Sequence, residues 1–361
     1  MRALERIRVL VIDDSAFSRQ TITRMLETSP LVEVVGVARD GQEALRKAFD
    51  LQPDLITLDL EMPRMDGFTF LRLVMAQRPT PVLVISGRGG EEDVFRALEL
   101  GAVDFIAKPT PLATPLLAQI EQELIRKVHA IRELRIEKVR ERLGATPRAQ
   151  QSVGARDNQT PRLVAIGSST GGPAALMELF SAFAEPPPCA FVVAQHMPAG
   201  FTRGFAERLG RMTALRALEA RGGEEPEPGT VLVAPGGHHL ELESVGPRLE
   251  ARVVAGAAAD KYAPSVDRLF QSAAKHLGSD LLAVVLTGMG DDGRVGVRAV
   301  KDAGGRVLAE SEHTAVIFGM PLQAIRSGAV DAVLPLHEMA GAILRGARGT
   351  ATSGAARRGS G

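Results

Sequence analysis

Short apolar runs alternate with amphipathic stretches through the first third of the chain. Ile7–Ile12, Val34–Val37, Leu55–Leu58, Val82–Ile85 and Val103–Ile106 are too short for helices and read as buried strands. Between them apolar residues recur at helical spacing, as in Phe17, Ile22 and Leu26, or Ala44, Leu45, Ala48 and Phe49. Strict alternation of strand and helix predicts a doubly wound parallel sheet, a (βα)5 unit. Ligands of such a sheet gather outside the carboxyl ends of its strands.

Beyond Pro115 a longer amphipathic pattern runs through Leu116, Ile120, Leu124, Val128 and Ile131, then turns highly charged up to Arg142. From Gly144 to Pro161 the chain is polar and without period, as a linker is. A second α/β pattern starts at Leu163, with strands expected at Leu163–Ile166, Phe191–Ala194, Val231–Ala234, Leu281–Leu286 and Val307–Ala309. Leu240–Glu243 and Leu249–Val254 read as a hairpin around Gly246-Pro247. The expected division is a first domain over 1–125, a linker over 126–160 with a helical start and a flexible remainder, a second domain over 161–345, and a disordered tail over 346–361.

Composition narrows the function. The 361 residues carry 43 basic and 43 acidic side chains, so there is no bulk cationic excess to neutralise nucleic-acid phosphates. Cys189 is the only cysteine, which rules out an intrachain disulfide, and its apolar neighbours read as core. No apolar stretch reaches the ~20 residues of a membrane span, and Met1 to Arg8 is too charged for a signal-peptide core. The expectation is a cytoplasmic protein with no membrane insertion and no nucleic-acid partner.

In the first half, Asp13 and Asp14 follow the first strand and Asp59 ends the third. Three carboxylates in one crevice repel each other unless a hard cation lies among them. Mg²⁺ suits that role, because it takes a few carboxylates and keeps waters for a phosphoryl group. Ser86 ends the fourth strand and Lys108 precedes Pro109 after the fifth, offering a hydroxyl and a cation to equatorial phosphoryl oxygens. Singly, each is weak: Asp14 could equally cap the helix beginning near Ser15. As a set, residues 7–125 resemble a response-regulator receiver domain, with its flavodoxin-like fold, through Val11-Ile12-Asp13-Asp14-Ser15, Asp59-Leu60-Glu61-Met62-Pro63, Ser86 and Lys108-Pro109. The resemblance implies that Asp59 accepts a phosphoryl group from a histidine kinase. It also implies that Asp13, Asp14, Asp59 and the backbone carbonyl of Glu61 hold Mg²⁺, and that Ser86 and Phe105 report phosphorylation. Phe105 could equally be plain core.

In the second half, three strand ends carry chemistry. The first runs into Gly167-Ser168-Ser169-Thr170-Gly171-Gly172 and a helix opened by Pro173. Glycines flanking a serine at a tight strand-to-helix turn suit a nucleophile, and equally a phosphate-binding or capping loop. The second strand ends at Gln195-His196, a candidate general base or a cap. The third ends in Thr287-Gly288-Met289-Gly290-Asp291-Asp292-Gly293, whose carboxylates could orient an imidazole or merely form an acidic turn. Their order, Ser then His then Asp, differs from that of α/β-hydrolases.

Residues 161–345 resemble the catalytic domain of the chemotaxis protein-glutamate methylesterase family through these loops and Ala263-Pro264-Ser265-Val266-Asp267. The resemblance implies Ser169 as nucleophile, His196 as base and Asp292, rather than Asp291, as orienting acid. Backbone N–H groups near Thr170 and Met289 would hold the oxyanion. The implied substrates are glutamate methyl esters of methyl-accepting chemotaxis receptors, with deamidation of receptor glutamines as a second activity and no cofactor for the esterase. Ser168, where the family commonly has Ala, adds a second hydroxyl nearby. The receiver is expected to cover the active site through its Ser86/Phe105 face until Asp59 is phosphorylated. The rival readings are a receiver-controlled binding module without catalysis, and a transcriptional output, for which no basic helix-turn-helix is found. His238-His239 lie in a Gly-rich turn before an alternating strand, and adjacent residues there point to opposite faces, against joint metal ligation. Tyr262 lines the cleft or seats the helix that Ser265 could cap.

Overall fold

A computed structural model describes residues 6–87, 91–108, 114–130, 161–257 and 259–345. The expected linker over 126–160 lies outside the described residues from 131 on, as do the expected tail over 346–361 and Pro109. The first half alternates as its hydrophobic pattern predicts: β1 (Ile7–Ile12), α1 (Ala16–Glu27), β2 (Val32–Ala38), α2 (Gly41–Leu51), β3 (Leu55–Asp59), α3 (Gly67–Gln77), β4 (Val82–Ser86), α4 (Glu91–Glu99), β5 (Asp104–Ala107) and α5 (Thr114–Ala130). The sheet is parallel throughout, in the order β2-β1-β3-β4-β5. Neighbouring β1 and β3 therefore deliver Asp13 and Asp59 to one crevice. Ser15, Asp40 and Asp66 cap the helices that follow, each side chain accepting from the N–H three residues on. Ser15, not Asp14, is the cap of α1, which leaves Asp14 free to face the crevice. Helix α5 continues past residue 125 to Ala130, with Val128 packed in the core of the first half and Ala130 buried in the cluster that spans both halves.

The second half builds β6 (Leu163–Ser168), α6 (Gly172–Ser181), β7 (Ala190–Gln195), α7 (Thr202–Met212), β8 (Arg216–Glu219), β9 (Thr230–Val233), β10 (His238–Val245), β11 (Arg248–Ala255), α8 (Val266–Leu277), β12 (Leu281–Val285), α9 (Arg294–Asp302), β13 (Arg306–Glu310), α10 (Gly319–Arg326), β14 (Ala332–Leu334) and α11 (Leu336–Leu344). Seven parallel strands run in the order β14-β13-β12-β6-β7-β9-β8, and β10 and β11 form the expected antiparallel hairpin. From β6 the chain moves out to β7 on one side and later returns to β12 on the other. The switch point beside β6 is where such folds place their ligands. Strands β8 and β14 escape the hydrophobic pattern because they are edge strands, short and partly exposed.

The two halves share one apolar cluster. Phe95 and Phe105 of the first half pack with Phe205 and Phe201 of the second, at ring-centroid distances of 5.6 and 4.7 Å. Helix α4 thus lies against α6 and α7, and Phe105 of β5 against Phe201 just before α7.

Candidate functional site

The strand ends β7, β6 and β12 lie side by side, and their loops are stitched together by buried hydrogen bonds. Gln195 occupies the centre: its Nε2 donates to the carbonyls of Ser169 (3.0 Å) and His196 (2.9 Å), and its Oε1 accepts from Ser168 Oγ (2.6 Å). The second hydroxyl is thereby committed to Gln195 and fully buried. Ser169 N donates to Thr287 O (3.0 Å), and Thr287 Oγ1 donates to Thr170 O (3.0 Å), binding the serine loop to the loop after β12. Gly172 is required here, since a Cβ would stand 2.0 Å from Gln195 Oε1 and 2.9 Å from Ser168 Oγ.

His196 Nε2 lies 2.8 Å from Asp292 Oδ2. Asp292 sits at the N-terminus of α8, accepting from Val266 N (2.7 Å), Asp267 N (2.9 Å) and Ser265 Oγ (3.1 Å). Burial pushes its carboxyl up, but the hydrogen bond with His196 and the backbone donors outweigh burial and hold it below its ordinary value. Asp291 turns outward to Lys261 Nζ at 2.7 Å, so the imidazole meets Asp292 alone of the pair. With Nε2 given to the acid, Nδ1 is the nitrogen left for a serine proton, the reverse of the arrangement in which Nδ1 meets the aspartate. Among the described residues no hydrogen bond joins Ser169 Oγ to His196; catalytic contacts of this kind are often long until substrate binds. Nor does the backbone N–H of Thr170 or Met289 have an acceptor among the described residues.

Tyr262 stacks on His196 with ring centroids 4.5 Å apart and planes 8° from parallel, while Ser265 does cap α8. His239 is buried against Asp260 (2.7 Å), and His238 is exposed, so the two do not converge. Cys189 is fully buried, as expected of a core thiol.

In the other crevice, ligand atoms of Asp13, Asp14 and Asp59 lie within 4.8 Å of one another. Lys108 Nζ is 2.7 Å from Asp59 Oδ2 and 3.1 Å from Asp13 Oδ2. Burial, then the charge on Asp59, raises the Asp13 carboxyl to about 6. Burial raises Asp59 too, against Lys108. Asp13 Oδ2 is buried with no hydrogen bond of good geometry, and the Lys108 ammonium at 3.1 Å is the charge that faces it. This donor set fits Mg²⁺. Ser86 is buried at the end of β4, and Phe105 is buried against Phe201 of the second half.

The residue that the sequence reading missed is Asp104. Its Oδ2 accepts from Thr170 Oγ1 at 2.6 Å, next to the candidate nucleophile, and its Oδ1 pairs with Lys127 Nζ at 2.9 Å. The one signal in the sequence is a carboxylate inside an apolar strand, Val103-Asp104-Phe105-Ile106.

Two family models cover most of this architecture: CheB methylesterase over residues 164–343 and the response regulator receiver domain over 9–120. The protein-glutamate methylesterase/protein-glutamine glutaminase 3 of Geobacter sulfurreducens is 49% identical over 362 residues, 95% of this chain and 98% of its own. The chain belongs to the protein-glutamate methylesterase/protein-glutamine glutaminase family. A Myxococcus xanthus member of that family is 50% identical over 343 residues, 95% of this chain and 97% of its own. The solved methylesterase catalytic domain of Thermotoga maritima CheB is 40% identical, covering 51% of this chain and 97% of that one, with a TM-score of 0.49. Family membership accounts for the α/β receiver followed by an α/β methylesterase domain. Among the described residues no helix is long and apolar enough to cross a membrane.

Proposed function

We propose that this chain is a phosphorylation-activated, cytoplasmic hydrolase that demethylates glutamate methyl esters on methyl-accepting chemotaxis receptors and deamidates receptor glutamines. The observation that carries the reading is the His196–Asp292 pair at the switch point beside Ser169. Ser169 Oγ attacks the ester carbonyl as His196 Nδ1 takes its proton, and the N–H groups of Thr170 and Met289 receive the oxyanion. His196 returns the proton to departing methanol. It then takes a proton from water, whose oxygen attacks the acyl-serine; the bond from Ser169 Oγ to the acyl carbon breaks, Oγ recovers the proton from His196, and glutamate is released. With an amide substrate, ammonia leaves in place of methanol.

The receiver takes its phosphoryl group from a histidine kinase. Asp13, Asp14, Asp59 and the Glu61 carbonyl would hold Mg²⁺, which supplies positive charge to the phosphoryl oxygens when bound. An Asp59 carboxylate oxygen attacks phosphorus, the bond to the kinase histidine breaks, and Lys108 and Ser86 hold the equatorial oxygens. Phosphorylation must then favour the state in which the receiver leaves the catalytic domain. Support for that gate is the contact itself, with Asp104 holding Thr170 and Phe105 packed on Phe201.

Methanol release from methylated receptor membranes tests the proposal, with the full-length chain, its Ser169→Ala variant, and a small phosphodonor present or absent. Release that needs Ser169 and rises with phosphodonor is expected. Release by Ser169→Ala at the wild-type rate would overturn the mechanism and favour the non-catalytic binding module.

A further inference from the structure

We infer that Tyr262 is a positioning residue for the hydrolysis: its ring fixes the plane of the His196 imidazole against which Ser169 must be deprotonated. The inference rests on the Ser169–His196–Asp292 reading above and adds a residue to it.

An imidazole tied at one nitrogen is not fully located. The bond from Nε2 to Asp292 sets one edge of the ring, but the ring can still swing about its own side-chain torsions and about that bond. Proton transfer from a serine needs the other nitrogen held within a narrow range of distance and angle. The structure supplies a second constraint, on the face of the ring. The phenol of Tyr262 lies nearly parallel to the imidazole, at the short end of the range of aromatic pairs.

Tyr262 is itself located on several sides. Its hydroxyl sits against Gly290, where a Cβ would stand 2.3 Å from the oxygen; Gly290 has φ of 93°, so glycine there serves both the turn and the ring. The next residue, Ala263, accepts at its carbonyl from Gly237 N (3.1 Å). Two further residues on, Ser265 caps α8, and Ser265 Oγ, Val266 N and Asp267 N grip Asp292. A single segment, 262–267, therefore holds the acid that meets the imidazole edge and the ring that covers its face. The two constraints cannot drift apart independently. When His196 accepts the serine proton it becomes a cation, and an aromatic face is a favourable neighbour for a cation. The hydroxyl is not needed for either effect, which separates the ring from a substrate-binding or proton-donating phenol.

The test compares full-length wild type, Tyr262→Phe, Tyr262→Leu and Ser169→Ala, each treated with a small phosphodonor and assayed for methanol release over a range of methylated receptor concentrations. Thermal melts run in parallel on the same samples. The expected result is a kcat for Tyr262→Leu roughly 10- to 100-fold below wild type, with KM within about 2-fold, since a misplaced base slows chemistry without weakening binding. Tyr262→Phe should restore kcat to within about 3-fold of wild type. An unchanged kcat in Tyr262→Leu would overturn the inference. So would a loss confined to KM, which would make the ring a wall of the substrate cleft. A loss in Tyr262→Phe as large as in Tyr262→Leu, with normal melts, would assign the role to the hydroxyl and also overturn it. Failure of the underlying reading looks different, because Ser169→Ala would then retain full activity whatever happens at Tyr262.

Discussion

Asp292 shows how an ionised carboxylate is kept in a buried site. It has almost no solvent, yet its carboxyl lies below the ordinary value because four donors converge on it. Its folded-state pKa is lower than the unfolded one, so the unfolded chain binds the proton more readily. The stabilisation is therefore complete above the unfolded value of 3.8 and is lost as pH falls through the lowered, folded value. Asp292→Asn should cost about 1–3 kcal/mol of stability at pH 7, and the gap from wild type should narrow towards pH 3. Urea midpoints at the two pH values read this directly, and a gap that stays constant would show that the charge of Asp292 contributes nothing. At this scale the sequence was partly legible. Ser169, His196 and Asp292 stand out because each follows an apolar run, where a polar residue has no packing reason to be. The resemblance already favoured Asp292 over Asp291, and the fold supplies the physical reason: the start of α8 grips Asp292, while Asp291 turns out to Lys261. Asp104 and Gln195 were illegible in role because their partners, Thr170 and Ser169, lie 66 and 26 residues away in the chain, in the turn after β6.

Elements were legible wherever burial imposes a period. The strands β1, β3, β4, β6, β7 and β12 are buried along nearly their whole length and read as apolar runs. Edge strands β8 and β14 satisfy only one neighbour and carry mixed residues, so pattern alone passes over them. The turn from β6 into α6 is the tightest of the functional junctions. Gly172 opens the helix where Gln195 and Ser168 already fill the space of a side chain, and Gln195 cannot swing aside without giving up the bonds that tie the serine and histidine loops. Gly172→Ala should lower stability by roughly 1–3 kcal/mol, as overpacking does, and should reduce methanol release as well. A wild-type melting temperature in that variant would mean that the Gln195 network is looser than its geometry implies.

For the whole molecule, the contact between the halves combines polar and apolar parts of different weight. Arg211 meets Glu92 at 3.2 Å and Arg208 meets Glu99, both pairs with a partner near half exposed or more, so their net worth is at most about 1 kcal/mol each. The buried part holds the hydrogen bond from Thr170 to Asp104 and an aromatic seam, Phe95 on Phe205 and Phe105 on Phe201, inside a cluster that runs from one half to the other. A seam held by such rings draws its strength from water, and water's aversion to apolar surface fades on cooling. On the gate proposed above, the receiver should thus be a leakier brake in the cold. Between 25 °C and 5 °C, methanol release without phosphodonor should rise as a fraction of release with it, the chemistry common to both arms cancelling in the ratio. A ratio that holds steady or falls would assign the grip to Asp104 and the arginine pairs instead. If it rises, the aromatic seam makes the enzyme's resting state a function of temperature, and a cell carrying it would reset its receptors with less need of a signal on a cold day than on a warm one.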